Sequence, residues 1–238
     1  MRKNEQFVFG EKNLAPLLRA NPERSIAPEQ THNTADVQDG EIHLRTQLEP
    51  FDISVFLQLR TRKKHPSDLA ELRRKLRGIF YSKEPKKLIL PDDPDVYYMA
   101  SVSDASELSN LWNTGSCTIT FHVYDPKAYG RHLTHSLVAG LNEIHNEATA
   151  ETYPVFNIRS TGGKVKVEHV TSGKYVELDA TAASGSTVVI NMDDEQATIN
   201  TNRSAVTLAS DFFPLEPGSN QIRVTNGSGT IEWSERWL

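Results

Sequence analysis

Three histidines near the middle of the chain come closest to a metal-binding pattern. His132 and His135 are three positions apart, and His145 follows further along the chain. An i, i+3 pair on a helix can share a metal ion, but no cysteine accompanies these residues and the segment is not clearly helical. The pattern therefore does not predict a metal site.

Two acidic runs could offer carboxylates to Ca²⁺. Asp92, Asp93 and Asp95 lie close together in the run that begins at Pro91 and contains a second proline, and Asp193-Asp194-Glu195 forms a second group. A calcium loop needs a glycine at its sharp turn and a distant glutamate that binds through both oxygens, and neither is present. Both runs are interpreted as solvated turns.

The sequence does not predict a catalytic nucleophile either. Cys117, the single cysteine, lies in a run of alternating apolar and polar residues from Gly115 to Tyr124, so it is predicted to be a small core residue. The sequence contains no glycine-rich phosphate loop, nucleophile elbow or paired His/Ser/Asp arrangement. We therefore predict that the protein is not an enzyme, with no catalytic, cofactor-binding or metal-ligating residues and no cofactor.

A basic cluster stands out from the overall net charge of −5. Residues 60–87 contain eleven Lys/Arg and three acidic residues, a pattern that could contact phosphates or an acidic partner. A solvated helix face is favoured, because no aromatic residues are interleaved and no nucleic-acid motif is present. Sequence-specific nucleic-acid binding is therefore not expected.

The acidic excess lies in the second half of the chain. Residues 1–130 carry 18 basic and 18 acidic residues, whereas residues 131–238 carry 8 basic and 13 acidic residues. This asymmetry favours two units with different surfaces. The start of the chain lacks the apolar core of a signal peptide, and no apolar run approaches the about 18 residues that span a bilayer, so neither secretion by that route nor membrane insertion is expected.

One amphipathic helix is predicted, from Ser67 to about Tyr81. Its apolar residues fall on a stripe about 100° wide at helical spacing: Leu69, Leu72, Leu76, Ile79 and Phe80. Residues suited to a first helical turn mark the start: Pro66, Ser67 as N-cap, Asp68 and Glu71. Gly78 weakens the last turn, and Pro85 forbids continuation.

The remainder of the first half has the alternation and turns of a β protein. Strands are predicted at Phe7–Gly10, Ile42–Leu48, Phe51–Arg60, Lys87–Leu90, Val96–Val102 and Gly115–Tyr124, with Ile42 and Leu44 on the buried side of a half-buried strand. Other segments are predicted as an extended arm or loop (Leu14–Asn33), turns (Asp36–Glu41, Pro91–Asp95), a polar loop (Ser103–Trp112) and a strand terminator (Asp125–Gly130).

The second half is predicted to be an antiparallel sandwich without helices. Its short strands are Tyr153–Ile158, Gly163–Val170, Lys174–Leu178, Thr187–Met192, Ala197–Thr201, Val206–Ala209, Gln221–Thr225 and Thr230–Trp237. Turns at Gly162-Gly163, Ser172-Gly173, Asp193-Asp194 and Asn226-Gly227 separate several of them. Residues 131–152 match neither a helix nor a strand template, so the predicted organisation is a domain at 1–130, a connector at 131–152 and a sandwich at 153–238.

The order of these elements in the first half resembles the distal tail proteins of long-tailed siphophages. The resemblance rests on Asp39-Gly-Glu, the strand Phe51–Arg60, the helix Leu69–Phe80, and the runs Leu88-Ile-Leu-Pro-Asp-Asp-Pro-Asp-Val-Tyr-Tyr98 and Thr118-Ile-Thr-Phe-His-Val-Tyr-Asp-Pro-Lys-Ala-Tyr-Gly130. It covers residues 7–130. The family's C-terminal domain is a galectin-like β-sandwich, with a similar Pro-Leu-x-Pro-Gly-x-Asn crossing before its last strands.

The corresponding crossing in this chain is Asp211–Asn220. Phe212, Phe213 and Leu215 can plug an edge of the sandwich, and Asn220 can hydrogen-bond the backbone of its own loop. The resemblance therefore covers both halves. In the last strand, Trp237 could face either the core or a partner.

The resemblance implies a structural protein of the virion, located at the tail tip and made in the host cytoplasm. It implies a hexameric ring at the end of the tail tube, closed by the N-terminal domains, with C-terminal domains that dock baseplate parts. Implied partners are further copies, the tail tube protein, a tail-associated or fibre protein and a receptor-binding protein. The alternative is a carbohydrate-binding, lectin-like module, in which Trp233 or Trp237 could stack on a sugar.

Overall fold

The chain forms two units that are both built from antiparallel strands. The computed structural model describes residues 6–25, 28–60, 66–105 and 115–238, without the side chains of residues 66–70. One unit comprises the residues through Ala128 together with Leu238, and the other comprises Tyr129–Trp237. The prediction of a mainly β protein with one helix in the first half is confirmed for the described ranges.

The described part of the first unit contains nine strands and one helix. Their bounds are β1 (Val8–Phe9), β2 (Lys12–Asn13), β3 (Leu18–Glu23), β4 (Gln30–Val37), β5 (Gly40–Leu48), β6 (Phe51–Leu59), α1 (Pro66–Phe80), β7 (Lys86–Leu90), β8 (Asp93–Asp104) and β9 (Ser116–Val123). Seven strands form one antiparallel sheet in the order β2-β1-β7-β8-β9-β6-β3, and β4 and β5 pair only with each other.

The two alternating runs at the centre of this sheet place their apolar residues in the core, as predicted. On β6, Ile53, Val55 and Leu57 are fully buried, and on β9 the same holds for Ile119 and Phe121. Cys117 is also buried, in agreement with its predicted role as a core residue. Because the side-chain period of a strand is two, a shift by one residue would bury the polar set instead.

Helix α1 packs its apolar stripe against this sheet. Leu72, Leu76 and Phe80 are buried, and the Phe80 ring lies 6.1 Å from Phe9 and 6.3 Å from Phe121 between centroids. The predicted helix is therefore confirmed to within one residue at each end, whereas the predicted roles of the Ser67, Asp68 and Leu69 side chains lie outside the described residues. In the ranges that the structure describes, no helix has the length and apolar character to cross a membrane.

Gly78 gives a first prediction, because it is the weakest helix-former in the interior of α1. It lies on the exposed side, and a Cβ built at this position would meet nothing within 4 Å. Gly78→Ala should raise the free energy of unfolding by about 0.5–1 kcal/mol, since glycine loses more backbone freedom on folding than alanine does. Denaturant titration followed by circular dichroism measures this difference, and a destabilised variant would show that the helix is not exposed at this position.

The sequence-based prediction of an arm or loop at Leu14–Asn33 is wrong for half of its length. Residues 18–23 form β3, which pairs with β6 and contains Pro22, and residues 30–33 open β4. A proline is tolerated because β3 is the edge strand of the sheet, where one side of the backbone has no ladder partner. The turn after β7 is also shorter than predicted, since β8 already begins at Asp93. Of the predicted polar loop, residues 106–112 lie outside the described residues.

The second unit contains ten strands. Their bounds are β10 (Ala128–Leu137), β11 (Gly140–Asn146), β12 (Val155–Ser160), β13 (Lys166–His169), β14 (Lys174–Glu177), β15 (Thr187–Asn191), β16 (Gln196–Ile199), β17 (Asn202–Ser204), β18 (Gly218–Thr225) and β19 (Gly227–Trp237). One sheet has the order β17-β16-β15-β12-β19-β10, and a second sheet has the order β11-β18-β13-β14. The described part of this unit contains no helix.

The two sheets share one apolar core. Its buried residues come from both sheets, from the loops and from the crossing before β18: Leu137, Ile144, Phe156, Ile158, Val165, Val167, Val176, Leu178, Ala182, Val188, Ile190, Met192, Ala197, Phe213, Leu215, Ile222, Val224, Ile231 and Trp233. Two sheets whose inner faces interdigitate in this way form an antiparallel sandwich, as predicted. Its likeness to galectins stays a prediction.

Two predictions for the second half are wrong. Residues 131–152 are not an irregular connector, because they contain most of β10 and all of β11. On β10 only Ala128 and Leu137 are buried, so the strand shows no apolar alternation from which it could have been recognised. The predicted strand at Val206–Ala209 is a single bridge between Val206 and Leu178, and the pairing with β16 is made by Asn202–Ser204 instead.

Candidate assembly interface

The hairpin formed by β4 and β5 extends from the first unit as a two-stranded ribbon. Its strands pair from Gln30 opposite Leu48 to Val37 opposite Gly40, with one register shift between Asn33 and Thr34. Side chains near its base also bond across the strands: His32 Nδ1 lies 2.9 Å from Thr46 Oγ1, and Asn33 Nδ2 donates to Gln47 Oε1 at 3.2 Å. The hairpin is thus held together by its own ladder.

One face of this hairpin is apolar and uncovered. Register places Ile42 opposite Ala35, and Val37 and Leu44 lie on the same face. Ile42 is 53% exposed and Leu44 is 62% exposed. The predicted strand at Ile42–Leu48 is therefore confirmed, but the prediction that these two residues are half-buried is wrong. We call this face, with Ala35, Val37, Ile42 and Leu44, the hairpin apolar face.

An uncovered apolar face on two strands needs a partner for its stability. An isolated two-stranded hairpin is marginally stable in water, and three strands or a packed layer are normally required. The outer backbone edges of a hairpin can also add a strand from another chain. The hairpin apolar face is therefore the part of the described surface best suited to protein assembly. The edge strand β3, which pairs only with β6, is a second candidate for strand addition.

The three histidines that suggested a metal pattern are not brought together. His132 and His135 lie on β10 and His145 lies on β11, in different sheets. His132 Nδ1 lies 3.3 Å from Ser234 Oγ, and His132 Nε2 lies 3.7 Å from Glu232 Oε2. Among the described residues, no three His, Cys, Asp or Glu side chains are grouped closely enough to hold a metal ion.

The acidic run after β7 forms contacts with cationic and aromatic groups. Arg24 Nε donates to Asp92 Oδ2 at 3.1 Å, and Arg24 Nη1 donates to Tyr98 Oη at 3.2 Å. Asp93 already belongs to β8 and lines a cavity of about 230 Å³ together with Arg24 and Tyr98. The Asp92 carboxylate is therefore neutralised by an arginine rather than held ready for a cation.

The second acidic run is a turn between β15 and β16, as predicted. Asn191 Oδ1 accepts hydrogen bonds from the N–H groups of Asp193 at 3.0 Å and Asp194 at 3.3 Å. Asn191 Nδ2 donates to Asp194 Oδ2 at 2.6 Å, and Glu195 adopts a positive φ of 52°. All three acidic side chains are exposed. We call Asp193, Asp194 and Glu195 the acidic turn.

The basic cluster divides into paired and exposed groups. Lys75 Nζ pairs with Glu71 Oε1 at 2.6 Å, and Lys86 Nζ donates to the carbonyl oxygens of Ile79 at 3.3 Å and Tyr81 at 3.2 Å. Three arginines of α1 are exposed: Arg73, Arg74 and Arg77. We call these three residues the basic helix surface.

The crossing before β18 is built around Asn220, as its sequence suggested. Asn220 Nδ2 donates to the carbonyl oxygens of Glu216 at 2.8 Å and Gly218 at 3.0 Å, and Asn220 Oδ1 accepts from the Glu216 N–H at 2.9 Å. The side chains of Phe213 and Leu215 are fully buried. Asn220 therefore holds its own loop closed while the two apolar residues anchor that loop in the core.

Sequence reasoning missed the buried His169, which completes this network. Its Nε2 lies 3.1 Å from Asn220 Oδ1, and its Nδ1 lies 2.7 Å from Ser172 Oγ. Because the Asn220 Nδ2 group donates to two carbonyls, its Oδ1 is an acceptor, and His169 must carry its proton on Nε2. The ring stacks on Phe213 with centroids 5.5 Å apart. Burial lowers the pKa of His169, although Asn220 and Glu216 oppose this effect.

This lowered pKa predicts an acid-dependent loss of stability. The unfolded chain binds a proton on His169 more readily than the folded chain does, so stability is present above the ordinary histidine value of 6.5 and falls as the pH drops below it. Melting temperatures measured between pH 8 and pH 5 should decrease, and His169→Gln, which retains a side-chain donor, should show a shallower decrease. His145→Gln, at an exposed position on β11, is the matched control and should retain the original slope. An unchanged slope in His169→Gln would contradict the prediction.

A second missed feature is an ion pair between the two ends of the second unit. Glu235 is buried, its Oε1 accepts from Arg131 Nη2 at 2.7 Å, and its Oε2 accepts from the Arg131 backbone N–H at 3.1 Å. The hydrogen bonds from Arg131 lower the pKa of Glu235 despite burial. Glu235 lies at a position of β19 where the strand alternation predicts an apolar residue. The nearby Arg131, which is distant in the sequence, explains why a glutamate can be buried there.

The carbohydrate-binding alternative requires an exposed ring of Trp233 or Trp237 on which a sugar could stack. Trp233 is buried in the core of the second unit, so its ring does not present a face to a sugar. Trp237 is half-buried. The indole of Trp237 contributes a hydrogen bond to Glu235. Neither ring forms an exposed stacking platform.

Family models match both units of the chain. Residues 10–123 match the phage tail protein RIFT-related domain, and residues 147–237 match the siphovirus-type tail component, C-terminal domain. The distal tail protein of Bacillus phage SPP1 is 24% identical over 154 residues, a match that covers 62% of this chain and 61% of that protein. The chain thus matches less than two thirds of that relative's length.

The fold has a counterpart of similar length among solved structures. The crystal structure of the SPP1 Dit protein, described as a paradigm of the hub adsorption apparatus in phages that infect Gram-positive bacteria, superimposes with a TM-score of 0.82 at 16% identity. The superposition covers 98% of this chain and 99% of that chain, so the fold is shared across both units. With both tail-component domains present in the same order, the chain belongs to the siphophage distal tail protein family.

Proposed function

We propose that this protein is a structural component of the siphophage tail tip, where it forms a ring that links the tail tube to the host-adsorption apparatus. Family membership supports a tail component, and the described residues present a surface suited to assembly rather than a catalytic centre. The protein then acts in the virion, after synthesis in the host cytoplasm, and carries out no catalytic turnover. Its partners are the tail tube protein, a tail-associated or fibre protein and a receptor-binding protein.

The observation that carries this proposal is the hairpin apolar face. In a closed ring, each copy uses one surface to contact the next copy and a different surface to be contacted, so a projecting arm on one subunit meets the body of its neighbour. Burial of Ile42 and Leu44 in this contact contributes about 25 cal/mol for each Å² of apolar surface removed from water. The first unit, which holds the hairpin and the edge strand β3, is proposed to close the ring.

Light scattering coupled to size-exclusion chromatography tests the ring directly. Six copies of a 26.7 kDa chain give about 160 kDa, which is well separated from a monomer or a dimer. The double variant Ile42→Lys/Leu44→Lys should elute as a monomer, because burial of two lysines in an apolar contact is costly. Its circular dichroism should be unchanged, because both positions are exposed in the single chain.

The matched control places the same charges on the opposite face of the hairpin. Gln30 and Thr34 are exposed, alternate with Ala35 along β4 and pair with Leu48 and His43. Gln30→Lys/Thr34→Lys should assemble as the unchanged protein does. Equal assembly of both double variants, or a monomeric parent at all concentrations, would contradict the proposal.

A further inference from the structure

The basic helix surface carries charge that the described part of its own chain does not neutralise. Arg73, Arg74 and Arg77 are exposed on α1, outside the stripe that holds the buried Leu72 and Leu76. Within the described ranges no carboxylate forms an ion pair with any of the three. Lys75 on the same helix, by contrast, pairs with Glu71.

The residues of this surface also lower the stability of the helix. Arg73 and Arg77 are four positions apart and Arg74 and Arg77 are three apart, spacings at which like charges oppose helix formation. Gly78 follows Arg77 and lies one helical turn after Arg74 on the exposed side, with open space where a side chain would stand. Natural proteins keep such locally unfavourable choices chiefly where function requires them. A missing side chain beside three arginines leaves room for another backbone to approach.

The acidic turn in the second unit has the complementary properties. Asp193, Asp194 and Glu195 are exposed, and no cation in the described part of the chain pairs with them. Asn191 fixes the turn through hydrogen bonds to the backbone and to Asp194. Burial raises the pKa of the nearby Tyr153, and the carboxylates of Glu151, Asp193 and Glu216 add to this rise while Lys174 opposes it.

The two surfaces match in number, chemistry and size. The basic helix surface has three guanidinium groups and the acidic turn has three carboxylates, and arginine binds carboxylates through two parallel hydrogen bonds. One turn of helix from Arg73 to Arg77 advances about 6 Å, and a three-residue turn spans on the order of 7–10 Å. A long polyanion such as DNA is disfavoured as the occupant because the whole chain carries a net charge of −5.

We propose that the basic helix surface of one copy docks on the acidic turn of a second copy of this chain. The contact is heterologous, since it joins different surfaces of identical subunits, and it can therefore repeat around a closed ring. This inference rests on the self-assembly proposed above. It adds a second contact, between the first unit of one subunit and the second unit of its neighbour.

Charge reversal on each side tests the contact in the full-length chain. Variant A is Arg73→Glu/Arg74→Glu/Arg77→Glu, and variant B is Asp193→Lys/Asp194→Lys/Glu195→Lys. Each variant alone places like charges in the contact, and the concentration for half-assembly measured by analytical ultracentrifugation should rise about 10-fold or more. For the unchanged protein, the same concentration should rise with added salt.

An equimolar mixture of A and B should restore assembly, because every contact between unlike subunits again joins opposite charges. A contact within one chain could not be restored in this way. The control is Lys12→Glu/Arg159→Glu/Arg203→Glu, which has the same change in charge as A at three exposed basic residues outside the hairpin and should assemble normally.

The outcomes separate this inference from the proposed ring. If A and B assemble as the unchanged protein does while the Ile42→Lys/Leu44→Lys variant is monomeric, the ring stands and the charge contact is wrong. If A and B are impaired but their mixture is not restored, the second copy is not the occupant. A double-stranded DNA oligonucleotide that binds the unchanged protein and not A would identify a nucleic acid instead. A parent that never assembles would overturn both proposals.

Discussion

Phe121→Ala is expected to lower the free energy of unfolding by about 3–5 kcal/mol, which is the cost of removing a large aromatic side chain from a packed core. Phe121 lies on β9 and is fully buried. Its ring contacts Phe7, Phe9 and Phe80, with centroid distances of 6.4, 5.3 and 6.3 Å. It therefore joins the sheet, the start of the chain and the helix α1 in one aromatic cluster.

Urea unfolding followed by circular dichroism measures this loss. Phe56→Ala is the matched control, because Phe56 lies on the neighbouring strand β6 but is 42% exposed. Its truncation should cost about 1 kcal/mol or less, since less apolar surface is returned to water. Similar losses in the two variants would show that the aromatic cluster is not the centre of the first unit.

The second large effect is expected for Asn220→Ala. The variant removes the acceptor for the Glu216 N–H and for His169 Nε2, and the donor for the carbonyls of Glu216 and Gly218. Asn220 and His169 are both buried, so His169 Nε2 in particular loses its partner where water has little access. We expect a loss of about 2–4 kcal/mol, since buried polar groups without partners are costly.

Denaturant titration followed by tryptophan fluorescence reports on this loss, because the buried Trp233 lies in the same core. Gln221→Ala changes the next residue on β18, whose side chain is exposed, and should be nearly neutral. A neutral result for Asn220→Ala would show that the crossing is held by Phe213 and Leu215 alone.

The crossing also shows how far a local sequence pattern can be interpreted. Asn220 was predicted to bond to its own loop, and the structure confirms this because all the backbone partners lie within four residues. His169 was missed because its partner Asn220 is distant in the sequence and no local pattern connects the two. The same reason applies to Arg131 and Glu235, whose bond joins β10 to the last strand.

The strand alternation of β5 and β6 shows the second limit. Both strands alternate apolar and polar residues, and both were predicted from that alternation. Ile53, Val55 and Leu57 are buried because β6 lies between β3 and β9 beneath the helix layer. Ile42 and Leu44 stay exposed because the described part of the chain supplies no second layer over β5. Alternation predicts that a strand has an apolar face, but not whether its own chain covers that face.

The sequence by itself determined the strongly patterned elements of this protein: the helix α1, the central strands β6 and β9, and the turns at Asp193-Asp194 and Asn226-Gly227. Each of these elements is marked by a local periodicity of apolar residues or by a turn residue. Residues close in the sequence are therefore sufficient to predict it. Only the tertiary structure decided that residues 131–152 form strands, that β3 closes an edge, and that the hairpin apolar face lacks a cover. These features depend on pairing and packing with residues that are distant in the sequence. Backbone hydrogen bonds between paired strands form whatever the side-chain pattern, so a local pattern does not reveal them.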